Sequence, residues 1–112
     1  MFKSLREVWI SVGIEKMNTH EGRTVKVLLD SRATGMFMSK SLAQKGKYRL
    51  IKLEQPLQVR NVDGTRNNRG AITHEVEVNM FYKRHVERVI MNIYELEKTD
   101  VILDMPWLAS CP

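Results

Sequence analysis

Asp30 is the residue whose type and place in this chain could do acid or base chemistry. It closes an apolar run in which Val25, Val27 and Leu29 alternate with Thr24, Lys26 and Leu28, a strand pattern that becomes buried on both faces toward its end. A carboxylate placed where a strand enters the interior is hydrogen-bonded and paired, or it is used to move protons. On the residues alone two readings stand: a carboxylate that caps a turn, or a general acid or base. Other chemistries lack their residues. His20, His74 and His85 have no metal-ligand spacing and Cys111 is the single cysteine, so no metal and no cofactor are expected. Ser31 has no histidine near it in sequence to form a triad. Gly64 and Gly70 are not followed by the Lys-Ser/Thr of a phosphate cradle.

The run Leu28-Leu29-Asp30-Ser31-Arg32-Ala33-Thr34 resembles the hydrophobic-hydrophobic-Asp-Ser/Thr-Gly-Ala-Ser/Thr signature of the retropepsin-like aspartic proteases, especially those of gypsy-type retrotransposons. Val101-Ile102-Leu103, leading into Met105-Pro106-Trp107-Leu108, is similar to a second landmark of that family, a hydrophobic-hydrophobic-Gly run before a short helix. Arg32 and Asp104 stand where the family has glycine. The order of elements extends the likeness from Val8 to Pro112, which implies an N-terminal tail over 1–7 and one protease-like domain over 8–112. The family continues into one more strand, so a truncated C-terminal strand is expected at Ser110-Cys111-Pro112.

The resemblance implies Asp30 as the catalytic residue, an active-site loop of Ser31, Arg32, Ala33 and Thr34, and a flap around Val62, Asp63, Gly64 and Thr65 that closes over a polypeptide substrate. It also implies a homodimer, because one chain carries one such aspartate and the family's catalytic pair takes one from each protomer. In that pattern Ser31 matches the hydroxyl residue that bonds across the dimer. A side chain at position 32 occupies space that the family leaves to substrate backbone, and a guanidinium close to Asp30 favours its ionised form and opposes a shared proton. Arg32 is therefore expected to impair proteolysis. The alternative is a decayed, non-catalytic barrel kept as a dimerisation or peptide-binding module.

The elements that must hold Asp30 are mostly strands. Val8, Ile10, Val12 and Ile14 alternate with Trp9, Ser11, Gly13 and Glu15, and a polar turn from Asn18 to Arg23 returns the chain into the Asp30 strand. Met36 to Met38 reads as a short strand. Ser39 or Ser41 can cap a brief helix through Leu42 and Ala43 that Gly46 ends. Strands are expected over Tyr48 to Leu53 and Leu57 to Val62, broken at Gln55-Pro56, with an exposed tip from Asp63 to Gly70. On the residues alone that tip is a plain surface turn as readily as a flap with a hinge at Gly70. Ile72 to Tyr82 has one wet and one buried face, a turn follows at Lys83 to His85, and Val89 to Ile93 and Val101 to Leu103 are the last strands. Pro106 opens a small C-terminal helical segment through Ala109. Some seven short strands with little helix indicate an all-β barrel, closed or partly closed. The resemblance narrows this to a closed acid-protease barrel with a flap hairpin and one or two short helices.

Composition fits that reading. The 112 residues, 43% hydrophobic and 28% charged, make one globular domain rather than a disordered chain. No apolar run is long enough to span a bilayer and no secretory leader is visible, so no membrane association and an intracellular setting, cytoplasm or nucleus, are expected. The seven methionines fall in or beside apolar runs and read as core filler. Eighteen Lys and Arg against thirteen Asp and Glu give a net charge of +5. Four arginines, Arg32, Arg66, Arg69 and Arg84, sit where turn chemistry prefers glycine, and without them the balance is 14 minus 13, or +1. A nucleic-acid-binding domain would need its arginines to converge on one face, and aromatics are not interleaved with them, so no specific nucleic acid is expected.

Overall fold

The computed structural model of the chain describes residues 7–30, 35–58 and 70–104. These form β1 (Glu7–Lys16), β2 (Gly22–Asp30), β3 (Phe37–Ser39), α1 (Lys40–Lys45), β4 (Ile51–Leu57), β5 (Ile72–Tyr82), β6 (His85–Tyr94) and β7 (Val101–Asp104). The strands hydrogen-bond in the order β1-β2-β7-β3-β6-β5, and β5 pairs back onto β1, so six strands close into a barrel. Closure satisfies both edges of each of these strands, which an open sheet of this length would leave exposed.

β5 makes closure possible by dividing one edge between two neighbours. Its C-terminal half, Val78 to Phe81, pairs with Gly13 to Lys16 of β1. Its N-terminal end, Ile72 to Glu75, pairs with β4, which lies outside the ring. The alternation in sequence becomes inside and outside: Val12 and Ile14, then Val76, Val78 and Met80, are buried, while Ser11, Trp9 and Phe81 face outward. Met38, Met80 and Met91 are fully buried in the barrel interior, as expected of flexible core filler.

β2 has apolar contacts on both sides. Val27 and Leu29 enter the barrel core with Met38, Val101 and Leu103, whereas Leu28 joins a second cluster with Phe37, Ile72, Tyr94 and Ile102. This is the double burial anticipated from the sequence, and it packs β2 between the two apolar clusters.

The helix is capped by Ser39, the first of the two serines considered: its Oγ accepts from the Leu42 amide at 3.0 Å. Gly46 ends the helix in a right-handed conformation, φ −83°, so it is not chosen for a left-handed backbone. A Cβ there would collide with the Tyr48 ring and stand 3.2 Å from the Leu42 carbonyl. Glycine lets Tyr48 fold back against the helix end, where its amide donates to the Ala43 carbonyl at 3.0 Å.

Three expectations are corrected. No strand begins at Tyr48; regular pairing starts at Ile51, because Tyr48 to Leu50 follow the helix end instead. Gln55-Pro56 does not break the next strand, which runs through to Leu57. Among the described residues β4 has a single neighbour, and its register is irregular between Lys52 and Leu57, so a proline without an N–H is tolerated at that edge. In the two-residue turn between β5 and β6 it is Lys83, φ 54°, and not Arg84 that takes the left-handed conformation, and β6 begins at His85 rather than Val89. The flap tip and the segment Pro106 to Ala109 lie outside the described residues.

Candidate active site

Asp30 is the last residue of β2 and is 0% exposed. β2 runs between β1 and β7, and the ladder registers place Glu7 beside Asp30 on one side and Asp104 on the other. Side chains alternate along a strand, so Asp30 shares a face with Leu28, and Asp104 with Ile102. Leu28 and Ile102 belong to the second apolar cluster, against which Leu53 of β4 also packs. That cluster contains Ile72, the first residue of β5 and two residues past Gly70. The ground under Asp30 is thus shared with the root of the segment expected to be the flap. Gly70 itself has φ 92°, a backbone that suits glycine, and a Cβ there would meet nothing within 4 Å.

Asp104 is half-buried and pairs in parallel register with Asp30, so the two acidic residues project to the same side from strands ~4.8 Å apart. From sequence Asp104 is a family-glycine position near the site. The register adds that it is the immediate lateral neighbour of the catalytic candidate. Like charges directly opposite on neighbouring strands oppose each other. Ser31, Arg32, Ala33 and Thr34, and the flap residues Val62, Asp63, Gly64 and Thr65, lie outside the described residues.

The histidines are dispersed. His20 is exposed, with Nδ1 3.5 Å from Glu15 Oε1; His85 Nε2 is 2.7 Å from Glu87 Oε1; His74 Nδ1 is 2.8 Å from the Thr73 hydroxyl. Among the described residues no three His, Cys, Asp or Glu side chains converge as a metal site would require. Glu15 has partners of its own near the far end of β1. It accepts from Asn79 Nδ2 at 3.1 Å, and this bond, aided by His20, holds its carboxyl below the usual range.

A family model described as the PEG10/RTL1 protease domain matches residues 26–111. The chain belongs to this family. It is a retropepsin-like aspartic protease domain of gypsy-type retrotransposon derivation. The fold is similar to that of EIAV protease complexed with the inhibitor HBY-793, with TM-score 0.58 and 18% identity over 97% of this chain and 91% of that one. It is also similar to a retropepsin-like aspartic protease from Rickettsia conorii, with TM-score 0.55 and 11% identity over 93% of this chain and 82% of that one. At these identities the likeness speaks for the fold. No curated protein matches this protease-like domain in sequence.

Proposed function

We propose that this domain is an aspartic endopeptidase unit that acts on polypeptides as a two-fold homodimer in an intracellular setting, with Asp30 of each copy forming the catalytic pair, and that Arg32 and Asp104 impair it. The observation that carries the reading is a carboxylate with no exposed surface, held at the end of the doubly buried β2 in a retropepsin-type barrel. Two such carboxylates brought together cannot both ionise and share a proton. The ionised member takes a proton from water as the water attacks the peptide carbonyl. The protonated member polarises that carbonyl, and the departing nitrogen is then protonated, with no covalent intermediate. One chain supplies one Asp30, so the reading requires an isologous dimer with both Asp30 loops on the axis.

Asp104 favours a second reading, in which the barrel persists as a non-catalytic dimerisation or peptide-binding module, since it adds a carboxylate beside Asp30 in a place the family leaves to glycine. Gly to Arg and Gly to Asp are each reachable by a single G-to-A change in a codon, so one kind of mutation suffices for both departures. Peptide cleavage at mildly acidic pH separates the readings. The expected result is weak cleavage by the unmodified chain, a rise with Arg32→Gly and Asp104→Gly combined, and loss on adding Asp30→Asn. Cleavage that survives Asp30→Asn, or that a strict monomer performs in a sedimentation series, overturns the endopeptidase proposal; a combined variant that dimerises without cleaving selects the non-catalytic module.

A further inference from the structure

Far from Asp30, the start of β2 meets the end of α1, and the cations of these two elements line a pair of adjoining clefts. Lys16 and Tyr48 form the wall that the clefts share. The first, about 240 Å³, is bordered by Arg23, Lys45 and Lys47 with Glu21. The second, about 340 Å³, has Arg49 at its rim and an apolar wall that includes Met17, Ile51 and Val76. Lys16 is already engaged: its Nζ pairs with Glu21 at 2.9 Å and lies 5.4 Å from the centre of the Tyr48 ring. Glu77, the other carboxylate in the lining, is paired with Arg88 at 3.2 Å. Arg23, Lys45, Lys47 and Arg49 make no ion pair among the described residues. Glu21 is paired with Lys16 and also within electrostatic reach of Arg23 and Lys47, and Glu77 is paired with Arg88, so two engaged carboxylates face four cations that are in no ion pair of their own.

Such a surface concentrates anions. A cleft walled by one sign of charge focuses its potential, whereas the same charges scattered over a convex surface are screened within ~8 Å at physiological salt. The four cations come from three places in the chain: an outward position of β2, the last turn of α1 with the residue after its cap, and the segment leading to β4. Lys47 holds φ 56°, a fixed left-handed conformation that reverses the chain after the helix and brings Lys45, Lys47 and Arg49 round the same cleft pair.

We propose that this cleft pair is a sequence-independent binding site for single-stranded nucleic acid, with the phosphates of successive nucleotides on Arg23, Lys45, Lys47 and Arg49 and a base or sugar against the apolar wall of the larger cleft. An acidic peptide would satisfy the cations but offers no flat apolar ring at the spacing of each charge, which the adjoining apolar cleft is shaped to receive. Tyr48 is 8% exposed, so it shapes the wall and does not act as an open stacking platform. The site is separate from the proteolytic one. Arg23 and Asp30 stand seven residues apart on one extended strand, roughly 23 Å at ~3.3 Å per residue.

Fluorescence anisotropy with a labelled mixed-sequence single-stranded RNA dodecamer tests this on the full chain. Four phosphate contacts give a slope of log affinity against log salt of about −2.8, so binding falls roughly fiftyfold between 50 and 200 mM salt. Lys45→Gln with Lys47→Asn removes two contacts, asparagine being tolerated in the left-handed backbone of position 47. The slope then drops to about −1.4, while circular dichroism stays unchanged. Arg23→Gln, on a different element, provides an independent variant with a slope near −2.1. The proposal is overturned if the chain shows no saturable binding at 50 mM salt, if the variants bind like the parent, or if a polyglutamate peptide of equal charge competes as well as the RNA does. A single dodecamer sequence bound far more tightly than others would overturn the sequence-independent assignment.

Discussion

Asp104 is the informative position to perturb because the register fixes its neighbour on β2. In the parallel ladder it faces Asp30, on strands ~4.8 Å apart. Two unit charges ~5 Å apart repel by roughly 3 kcal/mol at an effective dielectric of ~20. Asp104 is half-buried rather than enclosed, so solvent screens much of this, and the general size of a cross-strand pair effect, up to about 1 kcal/mol, is the better guide. Asp104→Asn keeps the shape and removes the charge, exchanging one acceptor oxygen for an NH2 donor. It is expected to stabilise the domain by about 1 kcal/mol, a rise of about 4 °C in Tm for a chain of this size. Asp104→Gly relieves the same repulsion but places glycine in a strand, which costs about 0.5–1 kcal/mol, so it should leave stability nearly unchanged. The two substitutions separate charge from backbone. Thermal unfolding at neutral pH and again in acid, where the carboxyls are protonated, checks the cause: the gain from Asp104→Asn should vanish in acid. If Asp104→Asn destabilises the domain at neutral pH, or gives the same gain at both pH values, Asp104 is not acting through its charge on Asp30.

Two further outcomes follow from the α1 end of the molecule. Gly46→Ala drives a methyl into the Tyr48 ring and should cost about 1–3 kcal/mol in urea unfolding; the cost should shrink in a Tyr48→Ala background, since the two changes share one contact. Burial pushes the Tyr48 phenol above its usual value near 10, so the folded state favours the neutral ring, and stability from this group is present below that value and lost as pH rises through the raised one. An ultraviolet titration should show one tyrosine ionising late, and Tyr48→Phe should remove that step and soften the alkaline loss of stability.

Much of the barrel is legible in the residues because alternation and burial coincide. Val12 and Ile14, or Val76, Val78 and Met80, have only one face to offer a core, and they are buried accordingly. The apolar end of β2 signals burial on both faces, and Val27 and Leu28 do enter different clusters. What misleads is local chemistry whose meaning depends on neighbours. Pro56 punctuates a strand in sequence, yet β4 has no second partner among the described residues to miss its N–H. Gly46 looks like a helix stop chosen for backbone freedom, and the reason for glycine is the ring of Tyr48 two residues later. Which residue of Lys83-Arg84 turns left-handed depends on the pairing of Tyr82 with His85, which propensity does not contain.

The site divides in the same way. Asp30 stands out from sequence because a lone carboxylate ending an apolar strand is costly wherever that strand goes. Its lateral relation to Asp104 is invisible there: seventy-four positions separate them in the chain, and only the parallel pairing of β2 with β7 makes them neighbours. Charge, too, takes its meaning from the fold. Attention to Arg32, Arg66, Arg69 and Arg84 follows turn chemistry and makes the net +5 look incidental, but the cations that gather are Arg23, Lys45, Lys47 and Arg49. The alternation Lys45, Lys47, Arg49 is a visible cue, though it reads as an ordinary solvated face until the helix end folds Tyr48 inward and sets these side chains around the start of β2. Net charge counts cations; the fold decides whether they act together. The same closure that buries Asp30 at one end of β2 thus presents the basic clefts at the other, and the two ends can be tested, and can fail, independently.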